Sequence, residues 1–211
     1  MPAKLPPCAV RAAAHLMLAA VAAFAIVCGA AQFWRTDLNP IAVPLSLYLT
    51  GPGGGYVRLV YDLMGLALVG FAVGSYCATS AGQRSVLALL LFVLAGLLLP
   101  IVAATELFLR TAHEAAAALL HGLAAQATFL MLSFGMLLLS SRWHRDARFK
   151  KRPLMGLTLA WLATAVLWLR ALTRNLPHGL MQKLLIALIL AWLCWAALQL
   201  RRLAAGSSPA K

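Results

Sequence analysis

Acidic side chains are nearly missing from this chain: five Asp and Glu stand against 18 Lys and Arg in 211 residues. Charge of either sign is scarce, at 11%, where soluble domains average about a quarter. That shortage, beside a hydrophobic share of 63%, excludes a soluble globular protein and leaves an integral membrane protein. Polar runs are short as well. The longest, SSRWHRDARFKKRP, is far too small for a soluble domain, so residues 1–211 read as one integral-membrane domain. The four cysteines, Cys8, Cys28, Cys77 and Cys194, form no CxxC pair, and three lie inside apolar runs; they read as free thiols, not a disulfide framework. The net charge of +13 would suggest nucleic acid in a soluble protein. Here the basic residues sit between apolar spans, where they set topology, so nucleic acid is not an expected partner.

What is present is a set of six apolar stretches, each about 20 residues or longer and so able to cross a bilayer as a helix. They fall at roughly 12–31, 56–78, 85–105, 112–139, 154–173 and 179–200. The expected fold is an all-α polytopic transmembrane bundle of six helices. The first stretch follows Lys4 and Arg11 and resembles a signal peptide. Its apolar run exceeds the usual 7–15 residues, which favours an uncleaved anchor.

Charge sets the expected orientation. With the N-terminus inside, inside segments hold Lys4, Arg11, Arg84, Arg142, Arg145, Arg148, Lys150, Lys151, Arg152, Arg201, Arg202 and Lys211, with Asp146 as their one acid. The outside ends hold Arg35, Arg58, Arg110, Arg170, Arg174 and Lys183, partly offset by Asp37, Asp62, Glu106 and Glu114. Twelve basic residues against six predict both termini in the cytoplasm of a bacterial inner membrane.

The first outside segment, DLNPIAVPLSLYLTGPGGGYVRLVYD, is apolar enough to be buried but broken by Pro40, Pro44, Pro52 and four glycines. It cannot continue a spanning helix. The expectation is a Pro/Gly-rich loop capping the outer mouth, anchored at the interface by Trp34, Tyr48 and Tyr56, with residues 51–55 turning sharply into span two. No GK[ST] follows these glycines, which excludes a P-loop, and they form no dinucleotide fingerprint. Small residues four apart, Gly70 with Gly74 and Ala118 with Gly122, are candidates for close helix packing.

NPIAVPLSLYLTGPGGGYVRLVYDLMGLAL resembles the entry motif of a bacterial membrane family known as domain of unknown function 998. LLHGLAAQATFL is similar to that family's His-containing fourth helix, and LPHGLMQKLLIALILAWL to the lead into its Trp-bearing last helix. Two departures stand out: Ala42 occupies a turn position where serine is usual, and Gln182–Lys183 replaces Glu–Arg. The resemblance covers most of the chain and implies a topology, but no activity.

Ionisable residues within or beside spans are functional suspects by default. Arg58 and Asp62 are four apart on one helical face and are expected to pair. Glu106, Arg110 and His113 form a stripe at i, i+4, i+7, and Glu114 and His121 share a face seven apart. Three readings compete. In the first, these are interfacial ion pairs, with His121 bonded to a neighbouring helix, in a non-catalytic structural or assembly subunit. In the second, Arg58, Arg110, Arg170, Arg174 and Lys183 hold the polar end of a lipid or lipophilic small molecule beneath the loop. In the third, His113, Glu114 and His121, with Asp62, make a catalytic or metal site. The two histidines are eight apart, about 80° off-face, and would converge poorly on one metal. Ser46 is the only tempting nucleophile, and His15 and His121 lie at different depths for a bis-His haem. No cofactor, metal or catalytic residue is therefore assigned. The expected partners are membrane lipids, a lipophilic small molecule, and a second membrane protein. RWHRDARFKK, with Trp143 and Phe149 among its cations, would suit anionic head groups at about 1 kcal/mol per charge.

Overall fold

Residues 6–108, 111–149, 153–173 and 175–206 are described by the computed structural model. Among them there are six α-helices and no strand: α1 Pro7–Trp34, α2 Gly54–Ala78, α3 Val86–Thr105, α4 Glu114–Arg145, α5 Pro153–Leu172 and α6 His178–Gly206. All six are long and apolar enough to cross a membrane. Each helix packs on the next in sequence, and α1 packs on α6, so the six close into a ring. The chain enters α1 at one end of the ring and alternates between ends. One end carries the segment joining α1 to α2 and is here the capped end. The other, holding the 147–149 turn, is the basic end.

Two boundaries depart from the sequence reading for physical reasons. α4 does not stop near residue 139 but runs to Arg145, through half of the longest polar run. Trp143 explains this, because its indole is buried and donates to Thr79 Oγ1 at 2.9 Å, which makes the extra turn a tertiary contact. α6 likewise continues to Gly206 behind the buried Leu200 and Ala204.

Lipid is as apolar as leucine, so burying apolar area does not drive these helices together; close van der Waals packing does. The tightest crossing joins α2 to α3 at Gly65 and Gly96. A Cβ on Gly65 would overlap the Gly96 carbonyl, and one on Gly96 would lie 2.6 Å from the Gly65 carbonyl. Pro100 supports this crossing: it has no N–H to offer the Gly96 carbonyl four residues back, which leaves that oxygen facing α2. Of the anticipated small-residue pairs, Gly74 does meet α1, where a Cβ would approach the Ala13 methyl to 2.9 Å. Ala118 and Gly122 do not mark a crossing. Ala118 is exposed, and no atom lies within 4 Å of a Cβ placed on Gly122.

At the basic end, Trp143 stacks on Phe149 with ring centroids 4.1 Å apart, and both are buried. They therefore face the protein and not lipid head groups, which corrects the sequence-based picture of that segment. Lys150, Lys151 and Arg152 lie outside the described residues. Asp146 ties the segment down, accepting from Ser80 N at 2.8 Å and pairing with Arg148 at 3.2 Å.

Gly65→Val is expected to lower the thermal unfolding temperature in detergent, by a destabilisation of about 1–3 kcal/mol from overpacking, while Gly122→Ala leaves it unchanged. Equal melting of the two variants would contradict the assigned crossing.

Candidate functional site

The segment from 35 to 53 leaves the α1 axis, crosses the capped end, and returns to α2. Its only regular element is a 3-10 turn, Leu45–Leu49, in which four of five residues are buried. A non-helical backbone here needs partners from the protein, since lipid supplies none. Cations provide several. Arg35 donates to the Thr50 carbonyl, Arg58 to the Leu49 carbonyl, and Lys183 to the Pro40 carbonyl and, at 3.1 Å, to that of Val43. The start of α6 provides the rest. Its free N–H groups, which have no intrahelical partner, find cap carbonyls: Gly179 N donates to Ala42 at 3.2 Å and Leu180 N to Ile41 at 2.9 Å. Leu45 N in turn donates to Gln182 Oε1 at 2.7 Å. Gly179 has to be glycine for this docking, because a Cβ there would overlap the Val43 carbonyl.

Two further glycines are fixed by backbone conformation. Gly51 and Gly53 both have φ of 76°, and Gly53 sits directly before α2. That is the sharp turn anticipated for the cluster at 51–55. Tyr48 is not an interfacial anchor, unlike the exposed Trp34 and Tyr56. It is buried between two cations, with Lys183 Nζ 5.3 Å and Arg35 Cζ 6.0 Å from its ring centroid. Burial pushes its phenol pKa above the ordinary value. Arg35 also pairs with Asp37 at 2.8 Å, and that hydrogen bond holds the Asp37 carboxyl below the usual carboxylate range. The sign is that of a depressed acid: the contact is formed at neutral pH and lost as pH falls through the folded pKa.

Beneath the cap lies one buried charge-bearing pair. Glu106, at the end of α3, is almost fully buried, and its Oε1 is 3.2 Å from His121 Nε2 on α4. The other ring nitrogen, Nδ1, is 3.2 Å from the Val102 carbonyl and 3.3 Å from Thr105 Oγ1. A carbonyl can only accept, so Nδ1 carries a proton toward Val102. One further proton then lies between Nε2 and Oε1, on either partner, and the pair stays neutral overall. Chemically it is a place to hold a proton.

The pair lies between two spaces. On the cap side is a basin lined by Thr50, Gly51, Arg58, Glu106 and Glu114. On the other is a slot among α1, α2, α3, α4 and α6, which α5 does not line. The slot has a cavity volume of about 60 Å³. It is narrow, shaped for a slender body. Polar groups occur only toward its capped end, from Ser46, Tyr61, His121, Gln182 and Thr128, and the rest is Phe, Leu, Ile, Met, Val and Ala. From Gln182 to Leu193 it follows α6 for 11 residues, about 16 Å. Beyond the slot, toward the basic end, Phe71, Phe92 and Trp192 form a fully buried aromatic cluster. Phe92 stacks on Trp192 at 5.6 Å, and Phe71 meets Phe92 edge-on at 5.5 Å.

The residues singled out from sequence thus separate. Glu106 and His121 come together, and Arg58 and Glu114 share the basin. Arg58 and Asp62 form no ion pair: Asp62 is exposed on α2, and Arg58 turns to the cap backbone instead. His113 is exposed and lines a separate groove between α3 and α4. Arg170 lies over the Phe129 ring at 5.8 Å. Arg110 and Arg174 lie outside the described residues. Among the described residues no three His, Cys, Asp or Glu side chains gather as a metal site would need. Arg35, Tyr48, Tyr61 and Gln182 were missed as site residues. Their one sequence signal is polarity in or beside an otherwise apolar run.

Residues 18–199 match the family described as "Protein of unknown function (DUF998)". No curated protein matches the chain, and no solved structure does.

Replacing Glu106 or His121 alone by Leu leaves the other partner buried and unpaired, and is expected to cost about 1–3 kcal/mol. The double replacement should cost clearly less than the sum, in unfolding measurements on detergent-solubilised protein. Strict additivity would mean that the two side chains are not coupled.

Proposed function

Taking as premise that the chain belongs to the DUF998 family of proteins of unknown function, we propose that it binds a lipid or slender lipophilic small molecule inside the bundle. The observation that carries this reading is the slot, an elongated apolar space with polar groups gathered at one end, below a fixed cap. Ligand sites have that composition: mostly apolar walls and a few placed polar groups. With the basic end in the cytoplasm, as the charge balance favours, the capped end faces outward and the molecule's polar end lies toward the outer leaflet. The membrane is then the bacterial inner membrane. The buried aromatic cluster beyond the slot makes binding the primary act; movement through the bundle would need Phe71, Phe92 and Trp192 to part.

A structural or assembly role is the second reading. What favours it is that Arg58, Lys183 and Arg35 spend their donors on the cap backbone and so act as glue.

Native mass spectrometry of the protein released from mild detergent separates the two. The wild type is expected to carry a discrete added mass that survives activation, and Ala125→Phe, which fills the slot, is expected to lose it while melting normally. A bare wild-type mass, or a second polypeptide, would favour the structural reading. An added mass equally retained by Ala125→Phe would place it on the bundle's exterior.

A further inference from the structure

Resting on the slot as a ligand site, we infer that Ser46, Tyr61 and Gln182 together form a receptor for a neutral acceptor oxygen, a carbonyl at the end of a slim apolar molecule. Each of the three is more than nine-tenths buried, and each lines the slot. Neither Tyr61 nor Ser46 has a side-chain hydrogen bond to a described residue, and both line the polar end of the slot. Gln182 fixes its own orientation: Leu45 N donates to Oε1 at 2.7 Å, so the amide nitrogen, with two donors, is the end left over. The same contact brings the 3-10 turn, and Ser46 with it, down onto α6. These donors border the space of the slot, and a ligand oxygen with two lone pairs could accept from them there.

The other polar groups of the slot are already engaged. Thr128 Oγ1 donates to the Ala124 carbonyl at 2.8 Å, and both nitrogens of His121 have partners. Among the described residues no Arg or Lys lines the slot. Among the described residues an anionic end would therefore touch no cation within the slot itself, which is unfavourable. This moves the recognition of the head group from helix-end cations to three neutral donors, and changes the ligand class from an anionic to a carbonyl-bearing lipid such as a long-chain ketone, ester or quinone.

The test uses the full chain in lipid nanodiscs and three diazirine-bearing probes of one chain length: a linear methyl ketone, the matching fatty acid and the matching alkane. Photolabelled residues are mapped by mass spectrometry. The ketone is expected to label slot residues such as Leu132, Ile189 and Leu193 more than either other probe. Tyr61→Phe, which removes only a hydroxyl, should cut ketone labelling roughly threefold to tenfold and leave alkane labelling unchanged. Ser46→Ala provides the same comparison from the cap side. Fatty-acid labelling equal to or above that of the ketone, or ketone labelling indifferent to both variants, would overturn the carbonyl receptor while leaving the slot as a site. Absence of slot labelling by all three probes would overturn both.

Discussion

Buried backbone that leaves the helix must have its N–H and C=O groups satisfied, and this constraint organises the capped end of the bundle. The segment between α1 and α2 cannot be helical, with three prolines and two glycines at positive φ. Its carbonyls are met by Arg35, Arg58, Lys183 and the first amides of α6. The exchange is mutual, since the start of α6 would otherwise hold unpaired donors. One set of contacts thus finishes the cap, caps a helix and locks α6 against the α1–α2 connection. The ring of six helices is closed at that end by the same atoms.

The slot follows from this arrangement. Gly65 and Gly96 bring α2 and α3 into near-contact on one side, while the cap holds Ser46 over the space that remains. At the far end lies the buried aromatic cluster, anchored by Trp192 Nε1 to Ser140 Oγ at 2.9 Å. A cavity with a polar clamp above and an aromatic cluster below is asymmetric along the membrane normal, and a bound molecule would have a defined direction. The Glu106–His121 pair stands at the boundary between basin and slot, where a neutral proton-sharing pair keeps net charge out of the apolar interior.

The parts of this that were legible in sequence are those governed by composition and length. Six apolar runs of spanning length, the break at the prolines and the turn at residues 51–55 all follow from local rules, and the structure has them. What escaped was set by three-dimensional pairing. Arg58 and Asp62 share a helical face at i, i+4, yet the guanidinium donates to the Leu49 carbonyl, a contact between the cap and α2 that spacing along one helix does not show. Glu106 was placed with Arg110 and His113 by spacing along one segment, whereas its partner, His121, comes from the next helix. The Gly65–Gly96 crossing was invisible because its two members lie on different helices, and Ala118 with Gly122 had the right spacing on an exposed face. Tyr61 and Gln182 looked like ordinary residues in apolar runs; only their burial at the polar end of the slot, with Gln182 bonded to the cap through Leu45 N, distinguishes them.

The most direct test of the account is amide hydrogen exchange of the full chain in lipid nanodiscs, followed over peptides covering residues 41–50 and 178–185. If the cap is clamped as described, the amides of Leu45, Gly179 and Leu180 exchange as slowly as those in the middle of α2. Exchange of the 41–50 peptide at the rate of unstructured chain would contradict the clamp, and with it the fixed cap over the slot.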